Sequence, residues 1–156
     1  MPSWYRDPSP PSPTGPRGVG VTAIIERDGR VLVERRADSS VVEWAFIAGS
    51  LDDESVLDAL HREVREETGF EIADARLFGV FSDPTRIVAY PDGNVRRLTS
   101  IVFRVTPVGD RQPQLSEESL EMQFVPRDRL ATLPFWPAHQ PIRDALLADR
   151  EEVVVQ

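Results

Sequence analysis

The chain has 156 residues, 40% of them hydrophobic, which is enough for a single domain with an apolar core. Its net charge of −8 excludes non-specific binding to nucleic acid phosphates, because such binding needs a basic surface. Cysteine is absent, so disulfides, zinc-thiolate sites and thiol nucleophiles are excluded as well. We find no apolar run of membrane-spanning length and no leader pattern, so we expect a cytoplasmic protein without membrane contact.

The first 17 residues contain six prolines. This composition is typical of an extended segment, and we expect residues 1–17 to form a loosely held arm. The alternative is that Trp4 and Tyr5 dock on the body of the protein or on a second subunit. We assign residues 18–150 to one domain and residues 151–156 to a short tail.

Strand patterns dominate the domain. Residues 18–26 and 30–36 are rich in alternating β-branched residues, and Asp28-Gly29 between them predicts a tight hairpin. The other predicted elements are a loop over 37–40, strands over 41–47, 71–81, 87–90, 95–108 and 120–125, a helical turn over 126–130 and a helix over 137–150. With the helix described next, this order predicts a mixed α/β layered domain.

The segment 54–70 (ESVLDALHREVREETGF) has the clearest helical pattern. It begins at an acidic residue that can cap a helix, and it ends near Gly69. Glu63, Glu66 and Glu67 fall within roughly 100° of each other around such a helix. Like charges at this spacing repel, whereas converging carboxylates suit a hard cation such as Mg²⁺ or Mn²⁺. The alternative is a solvated helix whose arginines pair with neighbouring acids.

This segment resembles the signature of the Nudix family, which reads Gly, five residues, Glu, seven residues, Arg-Glu-aliphatic-x-Glu-Glu-x-Gly-aliphatic. Here Glu54 is followed by seven residues and then by Arg62-Glu63-Val64-Arg65-Glu66-Glu67-Thr68-Gly69-Phe70. Every fixed position from Glu54 onward matches, with Phe70 standing in for an aliphatic residue. The resemblance implies the Nudix-type α/β/α sandwich, a mixed sheet between helices, over roughly residues 18–150.

The resemblance also implies an activity: Mg²⁺- or Mn²⁺-dependent hydrolysis of the pyrophosphate bond of a nucleoside diphosphate derivative. ADP-ribose, nucleotide sugars and (deoxy)nucleoside triphosphates are the substrate classes. Glu66 and Glu67 correspond to the central metal ligands and Glu63 to a further ligand or base, so Glu63 and Glu66 are the expected catalytic residues of the helix. Arg62 corresponds to the residue that holds a signature glutamate in register, while Glu54 and Gly69 correspond to structural positions. Relatives make a homodimer a candidate assembly.

In this family the general base often lies on a later loop. Residues 115–121 (LSEESLE) are the candidate region here, with Glu118 as the first choice and Glu117 and Glu121 behind it. A solvated acidic loop is an alternative of equal weight. We expect His61 and His139 to be ordinary surface residues.

Substrate contacts are predicted from strand geometry and from aromatic residues. Arg35 and Arg36 are neighbours on a strand and face opposite ways, so one can reach a cleft, and we assign Arg36 this contact. Phe81, Tyr90 and Trp136 are candidates for stacking on a base, with burial in the core as the alternative for each. Phe81 and Tyr90 are the two that we assign to substrate binding.

The loop before the helix departs from the family. Relatives usually read Pro-Gly-Gly where this chain reads Ile47-Ala48-Gly49. Counting back from Glu54 places Ala48 at the signature glycine, where relatives use a backbone carbonyl as a metal ligand. If Gly49 is the signature glycine, the loop is one residue short. This departure motivates a second hypothesis, a Nudix-fold nucleotide-binding or regulatory module with weak or no hydrolysis.

Overall fold

A computed structural model describes residues 1–39 and 41–156, so Ser40, the end of the predicted loop over 37–40, lies outside the described residues. The strands are β1 (Ser3–Trp4), β2 (Gly18–Arg27), β3 (Arg30–Arg36), β4 (Trp44–Ala45), β5 (Ile47–Ser50), β6 (Ile72–Phe81), β7 (Ile87–Ala89), β8 (Val95–Pro107), β9 (Ser119–Pro126) and β10 (Val154–Val155). The helices are α1 (Val56–Thr68) and α2 (Gln140–Leu147), and two 3-10 turns span Arg127–Ala131 and Pro137–His139. No helix of the described residues has the length and apolar character that a membrane crossing requires.

Strands β2 and β8 pair in parallel at the centre of a mixed sheet, from Gly18 opposite Leu98 to Ile25 opposite Val105. Antiparallel partners flank them, with β6 and β7 on β8 and β5 on β2. The Asp28-Gly29 turn then carries β2 into β3, which pairs with β4 and β9. Both turn residues have positive φ, as a two-residue hairpin requires.

The sheet lies between two apolar clusters, each covered by one helix. Successive residues of β2 point to opposite faces, as strand geometry dictates. Ile24 therefore joins the cluster that contains Ile142 of α2, whereas Ile25 joins the cluster that contains Leu60 of α1. The predicted α/β/α sandwich is confirmed.

Local sequence determines both ends of α1. Ser55 is the N-cap, and its Oγ accepts a hydrogen bond from the Asp58 N–H at 3.1 Å. Gly69 ends the helix in the left-handed conformation at φ 76°, where a side chain would be strained. The expectation that the acidic residue at the start of the segment caps the helix is wrong, because the carboxylate of Glu54 is bonded to Arg62 instead.

Two predicted elements differ from the structure, while the others agree within one residue at each end. The predicted strand over 41–47 is replaced by the short strands β4 and β5, and Val41 and Val42 lie outside both, 60% and 57% exposed. The predicted helix over 137–150 begins as a 3-10 turn and ends at Leu147. Proline occupies the first turn of α2, where its missing N–H has no helical partner to lose.

The first four residues are held against the body of the protein. Ser3 and Trp4 pair with β7, opposite Val88 and Ile87. The indole N–H of Trp136 donates to the Met1 carbonyl at 2.9 Å, and the Ala138 N–H donates to Ser3 Oγ at 3.2 Å. The expectation of a loosely held arm is therefore wrong for this part of it, because strand pairing and side-chain hydrogen bonds fix the backbone.

Candidate active site

A cavity of about 280 Å³ opens beside α1, β3 and the turn that precedes α2. Its walls combine backbone of β2 and β5 with acidic, basic and aromatic side chains. A concave surface with a few convergent polar groups is typical of a small-molecule site. The lining side chains of chemical interest are Glu34, Arg36, Glu63, Tyr90, Glu118, Trp136 and His139.

Arg62 is the centre of the charge network on α1. Its Nε donates to both carboxylate oxygens of Glu54 at 3.1 Å, which is the pairing that the signature predicts. Its Nη1 donates to Glu63 at 2.6 Å and to Glu66 at 3.4 Å, and its Nη2 donates to the Ser50 carbonyl at 3.1 Å. One guanidinium thus holds three carboxylates of the motif and ties the glycine loop to the helix.

The glycine of the altered loop lies directly against a motif carboxylate. A Cβ atom at Gly49 would fall 1.8 Å from the carboxyl carbon of Glu63. Any side chain there would have to displace the Glu63 carboxylate, so Gly49 is the loop glycine on which the position of Glu63 depends. Ala48, which pairs with Thr22 in the sheet, also lines the cavity.

Burial changes the proton affinity of two motif carboxyls. Removal from water raises the pKa of Glu63 and of Glu67, and their acidic neighbours raise both further. Hydrogen bonds oppose this: Arg62 lowers the pKa of Glu63, and the Ser116 hydroxyl, 2.5 Å from a Glu67 oxygen, lowers that of Glu67. The side chain of Glu66 is more open to solvent than the other two, at 57% exposed.

The acidic residues of α1 fit a divalent cation in chemical kind but are not assembled around one. In the described part of the chain, no three acidic or histidine side chains are grouped closely enough to hold a metal ion as they stand. Arg62 engages the carboxylates of Glu63 and Glu66 in this arrangement. The donors do fit in kind, because they are oxygen ligands whose mutual repulsion a bound cation would relieve. The metal-ligand roles of Glu63, Glu66, Glu67 and the Ala48 carbonyl stay predictions.

Arg36 reaches the cavity, and its guanidinium carbon lies 4.2 Å from the ring centroid of Trp136. Asp38 accepts a hydrogen bond from Arg36 Nη2 at 2.7 Å and so fixes the guanidinium in this orientation. Asp38 also accepts from Nε at 3.0 Å, so among the described residues Nη1 is the guanidinium nitrogen left to meet an anion. Arg36 faces the cavity, as we expected from the strand geometry, and its contact with substrate stays a prediction.

The two aromatic residues assigned to substrate differ in exposure. Tyr90 lines the cavity, and burial raises the pKa of its hydroxyl. Phe81 is fully buried and packs on Phe78, with 6.1 Å between ring centroids. The assignment of Phe81 to substrate binding is wrong, because neither face of its ring is open to the cavity.

The acidic loop brings one of its three candidate bases to the cavity. Glu118 lines it, and its backbone is fixed by bonds to Ser116 Oγ at 3.2 Å and to the Ala37 N–H at 3.0 Å. Glu117 and Glu121 do not line this cavity. Glu121 lies on β9 opposite Arg35, whose neighbour Arg36 is the arginine that faces the cavity.

His139 is 1% exposed, so its assignment as a surface residue is wrong. Its Nδ1 accepts a hydrogen bond from the Phe46 N–H at 3.2 Å, which places the proton of the neutral ring on Nε2. Burial lowers the pKa of His139 well below its usual range, with Arg86 and Arg36 acting in the same direction. The ring lies edge-on to Trp136, with 4.8 Å between centroids, and offers the cavity a neutral donor.

Glu34 is a cavity residue that the sequence analysis missed. It is 6% exposed, and its Oε2 accepts a hydrogen bond from the Ser119 hydroxyl. Burial raises the pKa of Glu34 to about 7, despite opposing effects of Ser119 and Arg36. The sequence held a signal, since Glu34 follows Leu32 by two residues and shares its inward face.

Arg86 is a buried residue that stabilises the turn next to the cavity. It is fully buried, and its Nε and Nη2 donate to the Ala138 carbonyl at 3.0 and 2.8 Å. Further bonds reach the carbonyls of Phe81 and Leu98 and the Ser100 hydroxyl. Burial lowers the pKa of Arg86 to about 10, so it stays charged. It thereby ties the turn that carries His139 to the sheet.

Residues 15–146 match the NUDIX domain family. The chain belongs to the Nudix family. Its relatives include an "ADP-ribose pyrophosphatase" of Methanocaldococcus jannaschii, 31% identical over 119 residues that cover 75% of this chain and 66% of the relative. They also include the "Nucleoside triphosphatase NudI" of Escherichia fergusonii, 31% identical over 117 residues, 71% of this chain and 83% of the relative.

Solved structures of NUDIX hydrolases from Nitrosomonas europaea and Burkholderia pseudomallei share the fold, with TM-scores of 0.65 and 0.64. The solution structure of the Escherichia coli ORF135 protein matches with a TM-score of 0.67 and 28% identity, covering 86% of this chain and 91% of that one. The chain spans slightly less than two thirds of the length of the archaeal relative, 66%. The Nudix resemblance that segment 54–70 indicated is therefore confirmed for the family and the fold.

Proposed function

We propose that this Nudix protein is a Mg²⁺- or Mn²⁺-dependent hydrolase that cleaves the pyrophosphate bond of a nucleoside diphosphate derivative. The observation that carries the proposal is the convergence of Glu63, Glu118 and Arg36 on one cavity beside the motif helix. Anionic oxygens of a diphosphate repel a nucleophile, so the site needs both cationic groups and carboxylates that position or deprotonate water.

Glu63, Glu66 and Glu67, with the Ala48 carbonyl, would hold the cation. Once bound, the cation would neutralise the diphosphate and acidify a coordinated water. Arg36, fixed between Asp38 and Trp136, would bind a phosphate oxygen through its guanidinium edge. Arg62 acts on the carboxylates rather than on the substrate, since its donors are already bonded to Glu54, Glu63, Glu66 and Ser50.

The printed names of the relatives support two substrate classes. The archaeal relative is an ADP-ribose pyrophosphatase and the enterobacterial one is a nucleoside triphosphatase. Both names describe cleavage next to a nucleotide phosphate. A cavity of about 280 Å³ accommodates part of such a molecule, with Tyr90 and Trp136 as aromatic walls. Cytoplasmic location and a homodimer stay predictions.

A nucleotide-binding or regulatory module with weak or no hydrolysis is the second candidate function. Two observations favour it. The glycine loop reads Ile47-Ala48-Gly49, and Arg62 engages Glu63 and Glu66 in the arrangement seen here. This candidate predicts nucleotide binding without product.

The deciding experiment measures phosphate release, coupled to phosphatase or pyrophosphatase, with Mg²⁺, with Mn²⁺ and with EDTA. The nucleotide panel contains ADP-ribose, several nucleotide sugars, normal and oxidised dNTPs and dinucleoside polyphosphates. We expect metal-dependent turnover of one class. Binding of a panel nucleotide, measured by calorimetry, without turnover in either metal would contradict the hydrolase and support the binding module.

A further inference from the structure

Glu34 is an acidic side chain whose burial the fold itself does not explain. It sits on β3 between Ala45 of β4 and Met122 of β9, at a position where an apolar side chain would pack. Among the described residues, the Glu34 carboxyl group accepts one hydrogen bond, from Ser119, and forms no ion pair. A carboxyl buried without a cationic partner opposes folding, since it loses hydration that one hydrogen bond does not replace.

The surroundings of Glu34 place it next to the reaction region. Arg36 lies two residues further along the same face of β3, and both side chains line the cavity. Glu67 of α1 and Glu118 of the acidic loop are near enough for their charges to affect Glu34. Since Oε2 accepts the hydrogen bond from Ser119, Oε1 is the carboxyl oxygen available to a molecule in the cavity.

We propose that Glu34 is the proton acceptor for the water that attacks the diphosphate, a role that rests on the proposed hydrolase function. In this step an O–H bond of water breaks and its proton passes to Glu34 Oε1. The water oxygen forms a new bond to phosphorus, and the bridging P–O bond breaks with its electron pair on the leaving phosphate. The proton then leaves Glu34 for solvent through the open cavity.

Glu34 is better placed than Glu118 to act as the base. The side chain of Glu118 is exposed to water. Its backbone is fixed by Ser116, but its carboxylate has no hydrogen-bond partner among the described residues. Glu34 is held by a rigid strand and by Ser119, so its free oxygen has a defined position. Its raised pKa, about 7, also suits a group that must accept a proton near neutral pH.

The test compares Glu34→Gln with Glu118→Gln and wild type, using whichever of ADP-ribose, UDP-glucose and dCTP the wild type cleaves fastest with Mg²⁺. Glutamine keeps the size of the side chain and can still accept a hydrogen bond from Ser119. We expect Glu34→Gln to lower kcat about 100-fold or more, as loss of a general base does, with KM little changed. Its melting temperature should equal or exceed that of wild type. Glu118→Gln, which also removes a cavity carboxylate, should lower kcat by a factor at least about ten times smaller than Glu34→Gln does.

Chemical rescue separates proton acceptance from support of the fold. In Glu34→Ala, added formate should restore kcat about tenfold or more, because a small carboxylate can occupy the vacated space. Formate should not affect Glu34→Gln. Mn²⁺ affinity, read by electron paramagnetic resonance, should be the same in wild type and Glu34→Gln.

Three outcomes would overturn the assignment. The first is a kcat of Glu34→Gln within about fivefold of the wild-type value. The second is a loss of kcat that is accompanied by a lower melting temperature and is not rescued by formate in Glu34→Ala. The third is a tenfold loss of Mn²⁺ affinity in Glu34→Gln. The last would make Glu34 a metal ligand. If the wild type cleaves nothing while it still binds nucleotide, the proposed hydrolase fails and Glu34 has no proton to accept. An active wild type with an equally active Glu34→Gln contradicts the Glu34 assignment alone.

Discussion

Gly49 and Glu63 share a contact that leaves no room for a side chain at position 49 while the Glu63 carboxylate keeps its place. A Cβ atom there would fall 1.8 Å from the Glu63 carboxyl carbon and about as close to both oxygens, 2.1 and 2.3 Å away. The carboxylate is the flexible end of a long side chain, so it can move aside. Gly49 therefore leaves the space that the Glu63 carboxylate, a predicted metal ligand, occupies, although the loop sequence departs from the family pattern.

Gly49→Ala should displace Glu63 while the fold is retained. We expect unfolding free energy to change by less than about 1 kcal/mol, because only a side-chain end must shift. Turnover should fall at least about tenfold, since metal and substrate lose a positioned carboxylate. Gly15→Ala is the matched control, because its Cβ would meet only side-chain atoms of Asn94 and Arg96, at 3.3 Å or beyond. Equal activity in both variants would show that Glu63 needs no fixed position.

Arg36→Ala should weaken substrate binding more than it slows the chemical step. The guanidinium that is fixed on Trp136 would no longer meet a phosphate, so KM should rise about tenfold or more while kcat changes less. Arg35→Ala is the control, since Arg35 is the neighbour on the opposite face of β3 and does not line the cavity. The measurement is the steady-state kinetics of both variants. Equal KM values for Arg36→Ala and Arg35→Ala would contradict a substrate contact by Arg36.

Arg86→Met should be strongly destabilising. It would leave the carbonyls of Ala138, Phe81 and Leu98 buried with fewer donors, which we expect to lower the unfolding free energy by about 3 kcal/mol or more. Because the same bonds hold the turn that carries His139, KM should rise at temperatures where the variant is still folded. Arg97→Met, an exposed arginine on β8, should change stability by less than about 0.5 kcal/mol in urea titrations. Equal urea midpoints for the two variants would contradict the structural role of Arg86.

Glu34 should make the fold less stable as pH rises. Its pKa is about 7 in the folded chain and 4.5 as an isolated group, so between these values the folded state holds a proton that the unfolded state has lost. This contribution is fully present below pH 4.5 and is lost as pH rises through 7. In EDTA, the stability gain of Glu34→Gln over wild type should grow by on the order of 2 kcal/mol from pH 5 to pH 8.

The comparison with Glu34→Gln isolates this one group. The pKa of His139 is lowered in the folded chain, so His139 destabilises the folded state as the pH falls below 6.5, the ordinary pKa of histidine. Because His139 is present in both proteins, its effect cancels in the comparison. Urea titrations at several pH values supply the measurement. A pH-independent difference between the two proteins would mean that Glu34 titrates as an ordinary carboxyl in the folded chain.

The sequence could predict the motif helix and the layered fold because their signals are local. Ser55 and Gly69 mark the ends of α1, apolar spacing marks its inner face, and Asp28-Gly29 marks the hairpin. The Arg62–Glu54 pair was predictable as well, because both residues lie in one continuous motif.

The missed features all depend on contacts between distant parts of the chain. Glu34 is held by Ser119 and His139 by the backbone of Phe46, partners 85 and 93 residues away. A histidine next to a proline-rich turn gives no sign of such burial. The N-terminal residues likewise form a strand only because β7 offers a free edge to Ser3 and Trp4. Phe81 lies next to a turn in sequence but inside the core in space.

Turnover by Glu67→Gln tests the central claim most directly, because Glu67 is the buried carboxylate of the motif helix. The assay follows product formation by ³¹P nuclear magnetic resonance with Mg²⁺ and the best substrate of the panel. Glu117→Gln, an exposed glutamate outside the cavity, is the control. We predict that Glu67→Gln stays folded and loses at least about 100-fold in kcat, while the control matches wild type. Unchanged turnover of a folded Glu67→Gln would contradict a metal-dependent hydrolase built on this helix.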